Sequence, residues 1–306
     1  MSFQEAQKKL KEHYRLEIPL SSVQSIVENH AKNVFEFIEN DKEKLKGGNA
    51  KQLIAEMDGS MIPVVDTAIP KEGKKDRRRC RKIRWQEARL CFVRDSNSVM
   101  PIFFATMGDT ERAGNLLYRA ALRVGLGAKT KIHGVGDGAK WIEAQMKRVF
   151  CKNVKYLIDF YHVSEYLAAA AEHSWTSEKE QWRRESQNLL KESKHEEVLK
   201  RIKKRLPLDW LEQREEKSDI EDNPVEKCYR YLNNRKDCLD YKDALSKDLP
   251  IGSGEIESSH RHVIQKRLKI AGAWWKPEIA EHMLSLRVLR VNNDWDDYWK
   301  YQNKAA

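Results

Sequence analysis

The spacing of apolar residues changes character several times along the chain. Ser2 to Tyr14 carries Phe3, Ala6, Leu10 and Tyr14 at helical spacing. Pro19 breaks that pattern, and Ser21 or Ser22 is placed to cap a second helix with Val23, Ile26, Val27, Val34 and Phe35 on its apolar side. Two helices joined by a short turn form either part of a helix-turn-helix or an ordinary helical hairpin. A helix-turn-helix normally has a supporting helix before such a pair, and the sequence starts at Met1 without room for one. Asp41 to Lys51 is polar, contains Gly47-Gly48 and reads as a linker. From Gln52 the period shortens. Gln52 to Val65 reads as a strand, with Asp58-Gly59 in its middle and Pro63 marking an edge or bend. Trp85 to Val93 and Pro101 to Met107 are the next two strands. A helix over Glu111 to Val124, capped by Asp109 or Thr110 and ended by Gly125, then separates them from a fourth strand, Ile132 to Val135. Trp141 to Phe150 is amphipathic. Val154 to Ile158 is a fifth strand, and it leads into a helix that runs through Ala171.

This order, β-β-β-α-β-α-β-α, predicts an α/β domain with a mixed sheet and helices on its faces. Glu172 to Leu249 differs in being rich in Lys, Glu, Arg and Leu, poor in Gly and without strand signals, so it reads as an all-α insertion broken at Pro207 and Pro224. The turn Pro250-Ile251-Gly252-Ser253-Gly254 opens a helix to about Lys269, and a last helical stretch covers Ile279 to Val291. Trp295 and Trp299 are spaced to pack one helical turn apart. The expected organisation is therefore a short helical N-terminal segment (1–46), the first part of a core (52–171), the insertion (172–249) and the closing helices of the core (250–306).

The stretch Gly136-Asp137-Gly138-Ala139-Lys140 lies between the fourth strand and its helix. Two glycines let the backbone bend sharply around Asp137. A carboxylate at such a strand end projects from the rim of a sheet, where open α/β folds carry their chemistry, or else caps the following helix. Two other acids stand in comparable places, Asp58 within the first strand and Glu257 at the start of the helix after the insertion. Glu255 competes with Glu257, because the flanking Gly-Ser-Gly can place either one. Carboxylates suit Mg²⁺ or Mn²⁺, which take oxygen ligands and keep positions open for water and phosphate.

Composition narrows the partner. The 306 residues include 57 Lys and Arg against 47 Asp and Glu, a formal net charge of +10. That balance suggests a polyanion, most often nucleic acid. The densest basic run is Lys71 to Arg84, with Lys74, Lys75, Arg77, Arg78 and Arg79. Lys140 lies beside Asp137, and Arg261, Lys266 and Arg267 follow Glu257; all are placed to contact phosphates without reading sequence. The five cysteines, Cys80, Cys91, Cys151, Cys228 and Cys238, are odd in number and form no C-x-x-C pair, which argues against a disulfide framework and a structural zinc site. There is no apolar signal core at the start and no run of the ~18–20 apolar residues that a membrane span needs. A soluble protein of a reducing cytoplasm is expected.

Three blocks in this order, GVGDGAKWI, DFYHVSEYL and IGSGEIESSHRHVIQKRLKIAGAWW, resemble the signature series of bacterial insertion-sequence DDE transposases of the ISKra type, related to the Mutator-like group. The resemblance runs from about Gln52 to Trp299. It implies a ribonuclease-H-like fold whose first and fourth strands are central neighbours, interrupted by the group's all-α insertion. It also implies a catalytic and metal-binding triad of Asp58, Asp137 and Glu257 holding two Mg²⁺ or Mn²⁺ ions, and a supporting Asp159-x-x-His162 motif beside the active site. The implied activity is phosphodiester hydrolysis at transposon ends and strand transfer into target DNA. The implied partner is double-stranded DNA, bound by a homodimer or higher oligomer in the bacterial cytoplasm at the nucleoid. Family members normally carry a longer N-terminal DNA-binding region, so end-specific recognition by this chain stands open. The alternatives are a truncated or domesticated, non-catalytic DNA-binding relative and a sequence-tolerant nuclease of the same fold.

Overall fold

The computed structural model describes residues 1–41, 44–45, 47–67, 81–175, 178–206 and 223–305, and the chain divides into two compact units. The first comprises Met1–Ile132, Ala144–Asn153 and Gly254–Ala306; the second comprises His133–Glu143 and Val154–Ser253. The protein is a mixed α/β structure with a five-stranded sheet in the order β3-β2-β1-β4-β5.

In the first unit, α1 (Phe3–Tyr14) and α2 (Leu20–Asn40) are followed by β1 (Gln52–Thr67), β2 (Arg81–Asp95), β3 (Ile102–Thr106) and α3 (Thr110–Val124). Ser2 and Glu5 form a reciprocal capping box on α1. The expected serine cap on α2 does not form. That helix starts at Leu20, directly after Pro19, and takes Ser21 and Ser22 into its first turn. Asp109 caps α3 by accepting the Arg112 N–H, and Gly125 closes it in a left-handed conformation.

Strand β1 pairs antiparallel with β2 along its whole length, from Leu53 opposite Asp95 to Thr67 opposite Arg81. Both strands are longer than the apolar alternation alone predicted. Pro63 fits this pairing because its backbone faces away from β2. The Pro63 carbonyl accepts the Trp275 N–H, and the next backbone N–H on that side, from Val65, donates to the Trp275 carbonyl. At Gly59 a Cβ would fall 2.0 Å from Oε1 of Glu87, whose side chain lies over β1 at this point.

The unit closes with α10 (Gly254–His260), a π-helical turn (Arg261–Gln265), a short α11 (Lys266–Leu268), α12 (Pro277–Val291) and α13 (Trp295–Ala305). Ile62 and Val64 of β1, Leu90 and Phe92 of β2, Phe103 and Ala105 of β3, and Ile256, Val263, Leu268, Met283 and Leu284 share one core. Because side chains alternate along a strand, the even-numbered residues of β1 face these closing helices. Helix α2 packs on α12 and α13, where Val34, Phe37, Leu289 and the fully buried Tyr298 form a second cluster. Trp295 and Trp299 meet edge to face, 5.6 Å between ring centroids, as their spacing predicted.

The second unit carries most of β4 (Lys131–Gly136), the start of α4 (Lys140–Phe150), β5 (Val154–Ile158), α5 (Phe160–Ser174), α6 (Lys179–Lys191), α7 (His195–Lys203), α8 (Pro224–Asn233) and α9 (Tyr241–Ser246). Among the described residues of 172–249 there is no strand. Lys155 of β5 pairs with Asp240 and Asp243 at the start of α9, at 2.5 and 2.9 Å. The hydrogen bonds from Lys155 and Lys247 hold the Asp243 carboxyl down at about 2. Among the described residues no helix is long and apolar enough to cross a membrane.

Two outcomes follow from this packing. Phe92 is fully buried and meets Phe103 at 5.6 Å, so Phe92→Ala is expected to cost about 3–5 kcal/mol, read as a lowered urea midpoint with an unchanged slope. Burial pushes the Cys91 and Cys228 thiols up to about 12, whereas Cys151 is exposed. In native alkylation followed by mass spectrometry, Cys151 should react well before Cys91 and Cys228. Equal labelling of all three would contradict the burial described.

Candidate active site

Alternation along β1 puts Glu56, Asp58 and Ser60 on one face, between Ile54 and Ile62. Three polar side chains in succession on the core-facing side of a strand need partners, and α10 supplies two of them. Oε2 of Glu56, a residue with no solvent exposure, accepts the Ile256 N–H at 2.9 Å. One helical turn later, Nε2 of His260 lies 3.1 Å from Oδ2 of Asp58. That contact is close but misaligned, and neither ring nitrogen of His260 has a properly directed hydrogen bond. The other oxygen of Asp58, Oδ1, accepts the Gly59 N–H at 2.7 Å. Asp58 thus has a close neighbour at each oxygen, and its side chain is 30% exposed.

The same helix separates the two candidate glutamates. Glu255 is engaged by Arg94 of β2, whose Nε lies 2.9 Å from its Oε2. Glu257 is exposed and lies three residues before the buried His260 on the same helix. Sequence reading missed three participants here: Glu56, Arg94 and His260. Glu56 and Asp58 share strand parity, a legible signal. Arg94 and His260 show their parts only once β2 and α10 are seen against β1.

In the second unit, Asp137 follows β4 and is partly exposed. Its Oδ1 accepts the Ala139 N–H at 2.8 Å, a bond that shapes the turn ahead of α4. The backbone of this turn is clamped as well. Tyr231 of α8 donates its hydroxyl to the Asp137 carbonyl at 2.7 Å, Arg235 donates to the Gly138 carbonyl at 3.1 Å, and the Gly138 N–H donates to the Tyr156 hydroxyl at 3.3 Å. Gly138 has φ +85°, and a Cβ there would lie 2.4 Å from the Tyr231 oxygen, so only glycine fits. Burial, and then the nearby Asp137 carboxylate, raise the Tyr156 hydroxyl far above its ordinary range. Tyr156 therefore stays neutral and able to donate and accept.

Asp159 is buried, 2% exposed, at the end of β5. Its Oδ1 caps α5 by accepting the Tyr161 and His162 N–H groups at 2.6 and 3.1 Å. Its Oδ2 accepts the backbone N–H and the hydroxyl of Ser253 at 2.7 and 2.6 Å. All four donors act on one carboxylate, which ties the β5–α5 turn to the Ile251–Ser253 segment. His162, at the first turn of α5, is partly exposed; its Nδ1 lies 3.7 Å from Glu165 and its ring meets Tyr166 and Tyr231 edge-on.

The basic residues fall into three groups. Lys74, Lys75, Arg77, Arg78 and Arg79 lie outside the described residues. Lys140, Arg261 and Lys266 are exposed. Arg267 is 7% exposed, with its guanidinium 4.2 Å from the Phe3 ring and 4.7 Å from the Trp275 ring, and burial pulls it down to about 10. This is a packing arrangement, which leaves Arg261, Lys266 and Lys269 as exposed cations of that segment. Trp275 is buried and Trp274 is half-exposed. Among the described residues, no three His, Cys, Asp or Glu side chains are grouped closely enough to hold a metal ion by themselves.

No curated protein matches the chain. A family model does match residues 127–302, which include the Asp137 turn, the Asp159 cap and the Glu257 helix. That span is more than half of the sequence, and the chain belongs to the uncharacterised protein family UPF0236.

Proposed function

We propose that the protein is a metal-dependent DNA transposase of the DDE class, with Asp58, Asp137 and Glu257 as its catalytic carboxylates. The observation that carries the reading is the docking of α10 on β1. It brings Glu257 and Asp58, about 200 residues apart in sequence, onto adjoining elements of one unit, with Glu255 withdrawn into an ion pair. The sheet order, in which β1 and β4 are neighbours, supports the ribonuclease-H-like architecture that the three sequence blocks imply.

The residues suit hard divalent ions. Asp58, Asp137 and Glu257 are oxygen donors at least partly open to solvent. Mg²⁺ is commonly bound by one or two carboxylates plus substrate phosphates, so a ready-made group of three protein ligands is not required. Two such ions would supply activation of a water or hydroxyl and stabilisation of the leaving oxygen. The protein residues have their own tasks. Gly59 and Glu56 fix the acidic face of β1, Tyr231 and Arg235 hold the Asp137 turn, and Asp159 anchors the segment before α10. Lys140, Arg261 and Lys266 would bind DNA phosphates, which provides affinity without sequence reading. The proposed setting is the bacterial cytoplasm, with the protein acting as a homodimer or higher oligomer on transposon ends and target DNA.

Asp137→Asn is expected to abolish Mg²⁺-dependent nicking of a transposon-end duplex and to leave DNA binding intact. Asn keeps the turn-forming oxygen but not the charge that holds a cation. Were Asp137 only a turn former, Asn would serve as well, and near-wild-type nicking would remove it from the active site. Retained binding with no nicking by the wild type would favour a binding-only relative, and nicked but never joined products would favour a nuclease.

A second contrast tests the choice of glutamate. Glu257→Gln should eliminate nicking. Glu255→Gln should retain most of it and lower stability by only about 0–1 kcal/mol, the range for a partly exposed ion pair. The reverse pattern would transfer the ligand role to Glu255.

A further inference from the structure

We infer that His260 is a positioning residue for Asp58, an inference that rests on the metal-dependent reading above. Four observations on the first unit lead to it. His260 is 3% exposed, yet neither ring nitrogen has a well-directed hydrogen-bond partner. Leaving a buried polar group in that condition costs about 1–3 kcal/mol, so ordinary packing would favour an apolar residue here. Its Nε2 is nonetheless 3.1 Å from Oδ2 of Asp58, within hydrogen-bonding distance but misaligned. Oδ1 of Asp58 is already held by the Gly59 N–H. Finally, the helix departs from α geometry immediately after His260, at the π-helical turn Arg261–Gln265. Arg287 braces this turn through the His262 and Val263 carbonyls. A local π turn displaces side chains relative to a regular helix, and such turns are frequent at functional sites.

In the neutral form with the proton on Nε2, the His260 ring is a donor facing a carboxylate oxygen. A small rotation of either side chain aligns the bond. With Gly59 holding one oxygen and His260 the other, the Asp58 carboxylate is restricted to one rotamer, and its remaining lone pairs are directed outward, where the carboxylate is partly open. His260 acts through Asp58 and need not touch a metal or DNA. Partners of this kind, which orient a ligand from behind, typically contribute ten- to a hundredfold in metal affinity.

The test uses a near-isosteric pair that differs in hydrogen bonding. His260→Gln keeps an N–H donor at comparable reach, and His260→Met keeps the length and fills the cavity but cannot donate. Mn²⁺ binding to the full chain is measured by electron paramagnetic resonance of the free ion, alongside wild type and Asp58→Asn, with thermal melts to confirm folding. The expected result is Mn²⁺ affinity about ten- to a hundredfold weaker in His260→Met, largely recovered in His260→Gln, and a loss in Asp58→Asn at least as great as in His260→Met. Wild-type affinity in His260→Met would overturn the inference and leave the metal reading standing. Equal losses in the Met and Gln variants would also overturn it, because shape rather than donation would then be at issue. Equal Mn²⁺ binding by wild type and Asp58→Asn would overturn the metal role of Asp58, and the inference with it.

Discussion

The first unit depends on a hydrogen bond from the start of a helix to a carboxylate buried in a strand. Glu56 sits on the core face of β1 with no exposure and accepts the N–H of Ile256. A carboxylate in that position is costly unless it is well partnered. The N-terminal end of α10 offers unsatisfied N–H groups and the positive end of the helix dipole. The match is mutual, because the strand needs a donor and the helix needs an acceptor. Once made, it fixes the helix along β1, and His260 then reaches Asp58 one turn further on. Apolar contacts of Ile256 and Val263 with the β1–β2 core complete the docking, but hydrophobic burial is non-directional. The polar contacts set which residue faces which.

The second unit uses the same device with different parts. Asp159 is buried and takes four donors, two from α5 and two from Ser253. An amide at that position has one acceptor oxygen instead of two, so the acid is specific to the arrangement. Tyr231 of α8 and Arg235, just beyond that helix, hold the carbonyls of Asp137 and Gly138. In both units a carboxylate proposed for chemistry is partly exposed, and the groups around it are spent on holding backbone in place. Rigid support of this kind is what a site needs when small displacements are costly to the reaction.

Much of the architecture was legible because it follows from local chemistry. Five strands and the Gly-Asp-Gly turn are patterns of periodicity, glycine placement and capping, and neighbouring residues suffice to specify them. The errors were local too. Ser21 and Ser22 looked like caps because they precede an apolar stripe, but the helix starts at Leu20 with Pro19 at its N-cap, so both serines fall inside the first turn. Arg267 looked like a surface cation within a basic track. A helix face decided otherwise and stacked it between Phe3 and Trp275, rings brought together from opposite ends of the chain.

By itself, the sequence determined the element order, the positions of Asp58 in a strand, Asp137 in a turn and Glu257 at a helix start, and the basic balance that suggests a polyanionic partner. Each is encoded within a dozen residues or in the composition as a whole. The tertiary structure decided which partners Glu255, Glu56 and Asp159 take. Arg94 takes Glu255, Ile256 takes Glu56, and Ser253 takes one oxygen of Asp159. These pairings span roughly 90 to 200 residues. No local pattern specifies them, because a carboxylate's partner depends on which elements the core brings alongside it, and that is settled only when the helices after the insertion return to β1.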